Sequence, residues 1–270
     1  MKDSLDMISR ASHVTLVVWA MALLGLAFWP TGCSQGRPAA AVTAGRSPLS
    51  DSRQLVLVIC DTWDATRAEL QCYARTKIGQ RWTPIGERIP VSLGRTGLAW
   101  GRGLQGDPPL AGPLKREGDG KAPAGIFELP LAFGYAPKGQ AADIKLPYLP
   151  LTAGVVGVDD PQSTHYNQIV QVDQVRNKDW DSAEIMRRSD DLYEWGVIVN
   201  HNPSPAVPGA GSCMFLHVWR GPDTPTAGCT AMSRAQMVRL ATWLDPSAKP
   251  LLVQLPRPAY RQLAAPWGLP

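Results

Sequence analysis

His217 and Cys229 are the residues of this chain whose types and spacing can do covalent chemistry. His217 lies in Cys213-Met-Phe-Leu-His-Val-Trp-Arg220, an apolar stretch that predicts a strand. Cys229 follows twelve residues later, at the end of the turn-rich segment Gly221-Pro-Asp-Thr-Pro-Thr-Ala-Gly-Cys-Thr230. An excursion of that length can fold back on its own strand, and a thiol brought beside an imidazole is a nucleophile with its base. Gly228 permits close approach by a substrate, and the N–H groups of Gly228 and Cys229 are candidate donors to a developing oxyanion. Ser233, four residues on, reads as a helix N-cap whose dipole would help ionise the thiol, although that effect fades within a turn. The same spacing also suits a buried structural thiol and a satisfied core histidine. Arg220 is a candidate for a bidentate contact with a substrate carboxylate, or else for a surface pair with Asp223.

The elements that must position these groups read mostly as strands. Leu55 to Ile59, the alternating Leu70, Cys72 and Ala74, and the segments Arg88 to Leu93, Gly125 to Leu129, Gln168 to Val175, Gly196 to Asn200 and Cys213 to Trp219 all carry strand patterns. Gly94, Gly97, Gly101, Gly103 and Gly106 punctuate a turn-rich stretch. Two helices are expected. Ser182 to Leu192 has an N-cap and one apolar face, while Ser233 to Leu244 has a Ser233/Gln236 capping pair and the stripe Met237, Leu240, Ala241 and Leu244. No repeat and no second domain is indicated.

Composition sets the class. The chain has 270 residues with Gly 25 and Pro 25, a loop-rich balance that favours β architecture. A net charge of +4 with scattered basic residues argues against nucleic acid as a partner. At the N-terminus Lys2 and Arg10 precede an apolar run from Val14 to Trp29, which predicts a secretory signal, with an uncleaved anchor as the alternative. Cys33 stands where a lipoprotein signal would place its lipidated cysteine, but Pro30 occupies the position where Leu is usual, so plain cleavage near Ala39 to Ala41 competes. The predicted organisation is a signal over 1–33, a flexible linker over 34–53, a catalytic domain over 54–258 and a C-terminal tail over 259–270. The location expected is the periplasm or cell envelope, with membrane contact only through the signal or lipid. An oxidising compartment makes Cys60 and Cys72 candidates for a bridge across a hairpin, or else two buried small hydrophobes. The remaining histidines show no spacing for a metal site, and no metal or cofactor is expected.

Several separated segments resemble one known family. Phe215-Leu-His-Val-Trp-Arg-Gly-Pro-Asp-Thr-Pro-Thr-Ala-Gly-Cys-Thr-Ala-Met232 is similar to the signature of YkuD-type L,D-transpeptidases, a base histidine followed by Ser/Thr-x-Gly-Cys. Pro113 to Phe127, Val158 to Pro161 and Tyr166-Asn167 are similar to further segments of that family, in the same order, and the likeness covers roughly residues 54–255. It implies a mainly β, sandwich-like catalytic domain with a few peripheral helices. It also implies Cys229 as nucleophile and His217 as base, acting on peptidoglycan stem peptides, with carbapenems as inhibitors and Thr226 of the motif beside the substrate. Transfer to an amine, hydrolysis at the same site, or a decayed wall-binding protein are all compatible. Ala227 stands where the family usually has His, and Ala231 where Asn or Arg is common. His201 is a candidate for the missing imidazole, the alternative being a solvated turn histidine.

Overall fold

The computed structural model describes residues 47–270, so the predicted signal, the lipidation candidate Cys33 and most of the linker lie outside the described residues. Among the described residues there are fourteen strands and two α-helices. In chain order the strands are β1 (Gln54–Cys60), β2 (Arg67–Ala74), β3 (Thr83–Ser92), β4 (Leu98–Trp100), β5 (Ala122–Glu128), β6 (Ala132–Gly134) and β7 (Tyr148–Pro150). They continue with β8 (Val155–Val158), β9 (Ile169–Gln171), β10 (Ala183–Ile185), β11 (Trp195–Ile198), β12 (Phe215–Val218), β13 (Thr230–Met232) and β14 (Leu251–Pro256). The helices are α1 (Arg234–Trp243) and α2 (Arg257–Trp267).

Eleven strands form one mixed sheet in the order β4-β5-β14-β1-β2-β3-β13-β12-β11-β6-β7, and β10-β8-β9 form a small second sheet. Strands β1, β5 and β14 are buried almost throughout, so they read as continuous apolar runs rather than as alternation. Helix α1 lies as its sequence indicates. Ser233 Oγ accepts from the Gln236 N–H, Met237, Leu240 and Ala241 are buried, and Leu244 closes the helix.

Three expectations need correction, and the two alternatives for Cys60 and Cys72 resolve to buried small hydrophobes. Ser182–Leu192 is not a helix: Ser182 donates to Asp159 instead of capping, and Ala183–Ile185 pairs antiparallel with β8. Ladder hydrogen bonds to an available edge outweigh a weak local propensity there. Residues 259–270 are no tail, because α2 runs through them with Ala259, Leu263 and Trp267 buried, and Gly268 ends it in the left-handed conformation. The strand expected over Gln168 to Val175 is only β9, followed by a 3-10 turn over Val172–Gln174. Cys60 and Cys72 are both free and buried. Register is the reason: Cys72 faces Val56, and Cys60 lies four residues further along β1, about 13 Å away and beyond disulfide reach.

The turn after β3 shows how tightly the cysteine loop is anchored. Gly94 forms a bridge with Thr226, Arg95 N–H donates to the Thr226 carbonyl, and Thr226 N–H donates to the Leu93 carbonyl. Gly97 closes this turn at φ +87°, where a Cβ would stand 2.0 Å from the Trp63 carbonyl oxygen. Gly97→Ala is therefore expected to cost about 3 kcal/mol, from left-handed strain plus a backbone clash that no rotamer relieves, and to lower the melting temperature correspondingly. A melt within a degree of the parent would count against this account of the turn.

Candidate active site

The parallel pair β12 and β13 sets the geometry. Parallel strands require a long crossover, and residues 219–229 supply it. In this register His217 lies beside Ala231. Cys229 lies in a bend one residue before β13 and lines the same cleft as His217. Ala231, beside His217 in this register, is fully buried and small.

The row continues through the sheet as Phe133, Gly196, His217, Ala231 and Ser92. Gly196 is required here, since a Cβ would meet the Phe133 ring at 2.2 Å. Tyr193 packs edge-on against Phe133, Phe215 and His217, with ring centroids 5.7, 5.5 and 5.2 Å apart. Its hydroxyl donates to Glu184 at 2.6 Å, and Arg188 lies over its ring.

Both candidate residues line one cleft of about 520 Å³, together with Arg95, Lys115, Glu117, Glu184, Arg188 and Arg220. His217 Nδ1 lies 2.7 Å from the Val218 carbonyl oxygen, which can only accept, so Nδ1 carries the proton and Nε2 is left as the basic nitrogen. Burial pushes this imidazole down to about 4, against the opposing pull of that carbonyl. Burial likewise pushes the Cys229 thiol up to about 12, reinforced by the Glu184 charge and opposed by the Phe215 N–H and Lys115. At neutral pH the cleft thus holds a neutral thiol and a neutral imidazole. The expected help from the helix dipole does not arise. Strand β13 separates Cys229 from α1, which places the sulfur beyond the first turn, where the dipole acts.

The remaining expected site residues divide sharply. Cys213 and Cys229 are both free, so no bridge locks the sulfur, and its S–H faces the Cys213 carbonyl at 3.8 Å. Gly228 N–H is already donated to Thr226 Oγ1 at 3.1 Å, which leaves the Cys229 N–H as the member of the expected oxyanion pair not tied to Thr226. Thr226 in turn donates to the Cys229 carbonyl at 2.6 Å, so although it borders the cleft, its hydroxyl is spent on shaping the loop rather than reaching a substrate. Arg220 is exposed at the cleft rim and pairs with Asp190 at 3.3 Å, whereas Asp223 pairs with Arg67. His201 does not replace the missing imidazole. It is 2 % exposed and lines no part of the cleft, with Nδ1 accepting from the Arg102 N–H at 3.2 Å and Nε2 facing the Ala210 carbonyl at 3.0 Å. That makes it a satisfied core histidine, pushed down to about 4 by burial.

Sequence reasoning missed Tyr193, Glu184 and the structural use of Asn167. Asn167 adopts φ +63° and donates to the His201 and Asn202 carbonyls while accepting from the Cys213 N–H. Glu117 accepts from Tyr166 at 2.5 Å and Ser212 at 2.7 Å. Together these bonds fasten the entry to β12, so the separated family-like segments converge on one cleft. Among the described residues no group of three or more His, Cys, Asp or Glu side chains is arranged to hold a metal ion.

A mainly β domain with a thiol and an imidazole facing one cleft defines a class of cysteine-site catalytic domains. The YkuD family of L,D-transpeptidase catalytic domains matches residues 67–253, and the chain belongs to that family. No curated protein and no solved structure matches the chain.

Proposed function

We propose that this protein is a cell-envelope cysteine acyltransferase that acts as an L,D-transpeptidase on peptidoglycan stem peptides through a Cys229 acyl-enzyme. The observation that carries the reading is the shared cleft of Cys229 and His217, with Nδ1 held by the Val218 carbonyl and Nε2 left basic. Because both partners start neutral, the sulfur loses its proton to Nε2 as the C–S bond forms, rather than resting as a thiolate. The carbonyl attacked is that of the diamino acid at the third stem position. Its oxygen gains the negative charge, with the Cys229 N–H as a donor. Collapse breaks the peptide bond, and the imidazolium returns its proton to the departing amine of the terminal D-alanine, leaving a thioester. An incoming amine then attacks the thioester carbonyl and gives its proton to His217; collapse forms the new amide, breaks the C–S bond and expels the thiolate, which takes that proton back to become the thiol. Arg220 at the rim suits a stem carboxylate, since its single exposed pair with Asp190 is weakly held.

Incubation with a carbapenem and measurement of intact mass is expected to give one stable adduct. Incubation with tetrapeptide muropeptides is expected to give cross-linked dimers. Shortened monomers alone would make the protein a hydrolase, and binding without adduct or turnover would make it a non-catalytic wall-binding protein.

A further inference from the structure

We infer that Tyr193, anchored by Glu184, is the positioning residue that holds the His217 imidazole in register with Cys229. The inference rests on the acyl-transfer reading above and adds to it residues that no part of the sequence motif contains.

Three observations carry it. First, the hydrogen bond from Nδ1 to a carbonyl fixes one atom of the His217 ring but does not prevent the ring from tilting about that contact. Tyr193 supplies the second constraint: its ring meets the imidazole at 77° with centroids 5.2 Å apart, in an edge-on arrangement that resists tilt. Second, Tyr193 is itself over-determined. Its ring packs edge-on against Phe133 and Phe215, and its hydroxyl is bonded to Glu184. Third, Glu184 is held in turn by Arg188 at 3.7 Å, and Arg188 is clamped at 2.8 and 2.9 Å by both carboxylate oxygens of Asp190. Asp190 belongs to the turn just before Tyr193, so the chain from turn to carboxylate to phenol to imidazole closes on itself. A Tyr that served only to fill the core would not need a buried hydroxyl delivered to a carboxylate at the cleft wall.

The test compares Tyr193→Phe, Tyr193→Leu, Glu184→Ala and Glu184→Gln with the parent, by the rate of Cys229 acylation by a carbapenem and by kcat and KM for tetrapeptide muropeptides. Removing the ring is expected to lower kcat by about 100-fold with KM within about threefold, the scale of a small misplacement of a catalytic group. Tyr193→Phe and Glu184→Ala, which keep the ring but release its anchor, are each expected to lose about 10-fold, at the low end of that scale. Glu184→Gln keeps an acceptor for the phenol and is expected to recover most of the parent rate. Melting curves accompany each variant, and Tyr193→Phe decides the matter if Tyr193→Leu does not fold. Folded Tyr193→Phe and Glu184→Ala that acylate at the parent rate would overturn the inference, as would a loss confined to KM or a Glu184→Gln no better than Glu184→Ala. A parent protein that forms neither adduct nor product would instead overturn the acyl-transfer reading itself.

Discussion

Cys229→Ala is expected to abolish carbapenem acylation and muropeptide turnover altogether, and His217→Gln to slow both by about 10²- to 10⁴-fold with the fold intact. The two variants differ because they remove different things. Without the sulfur there is no covalent intermediate. Without the imidazole the thiol remains, but burial holds it near 12, so only a minute fraction is ionised at neutral pH and nothing accepts its proton. A resting thiolate–imidazolium pair would make Cys229 react rapidly with iodoacetamide at pH 7, whereas a neutral pair predicts slow alkylation that accelerates into the alkaline range. Acylation by substrate should instead stay high from neutral pH down to about 5 and fall only as His217, pushed down to about 4, becomes protonated. Measuring both rates across pH separates the two states, and fast alkylation at pH 7 would reject the neutral pair.

What was legible in the chain was local, and what was hidden was register and tertiary contact. Helix α1 could be read from Ser233 and the stripe Met237, Leu240 and Ala241 because cap and face lie within ten residues. Helix α2 carried comparable signs, Pro258 near its start and Gly268 just past its end, but Pro266 inside the last turn obscured the pattern. The segment after Ser182 has helical periodicity, yet the edge of β8 recruits it into a strand, a choice no local window contains. Cys60 and Cys72 looked pairable until the register of β1 and β2 set them four residues out of line.

The site shows the same division. His217 and Cys229 stood out through their spacing, and the crossover between parallel β12 and β13 brings both to one cleft. Thr226 and Gly228 belonged to a recognisable motif, but their bond to each other, which takes the Gly228 N–H away from the oxyanion, follows from the loop's conformation. Tyr193 and Glu184 had no signal at all. Their importance comes from tertiary contact, since Tyr193 packs edge-on against His217 and its hydroxyl reaches Glu184. His201 misled for the converse reason: its neighbours Asn200 and Asn202 look like a solvated turn, while the fold encloses the imidazole and satisfies both nitrogens.

Acid should destabilise the fold well before most carboxylates titrate, because His201 and His217 are both buried in the neutral form. Each is pushed down to about 4 from an ordinary 6.5, with burial the largest cause. A folded-state value below the unfolded one means that the unfolded chain binds protons first. Stability is therefore fully present above pH 6.5, declines as pH falls, and has lost this contribution once pH reaches about 4. Linkage gives about 2 kcal/mol per histidine by pH 5 and about 3 kcal/mol per histidine at the lower limit. Buried Glu184, whose carboxyl is raised by burial, opposes the trend. The carboxylates held low by hydrogen bonds or ion pairs, such as Asp179 at about 2, titrate below this window. Urea unfolding at pH 7 and pH 5 should thus show a fall of about 4 kcal/mol. His201→Gln, which can still accept from Arg102 and donate to Ala210, should show about half that fall, because one of the two proton sinks is gone. A parent protein equally stable at both pH values would mean that these imidazoles are protonated inside the fold, and the neutral Cys229–His217 pair would fall with them.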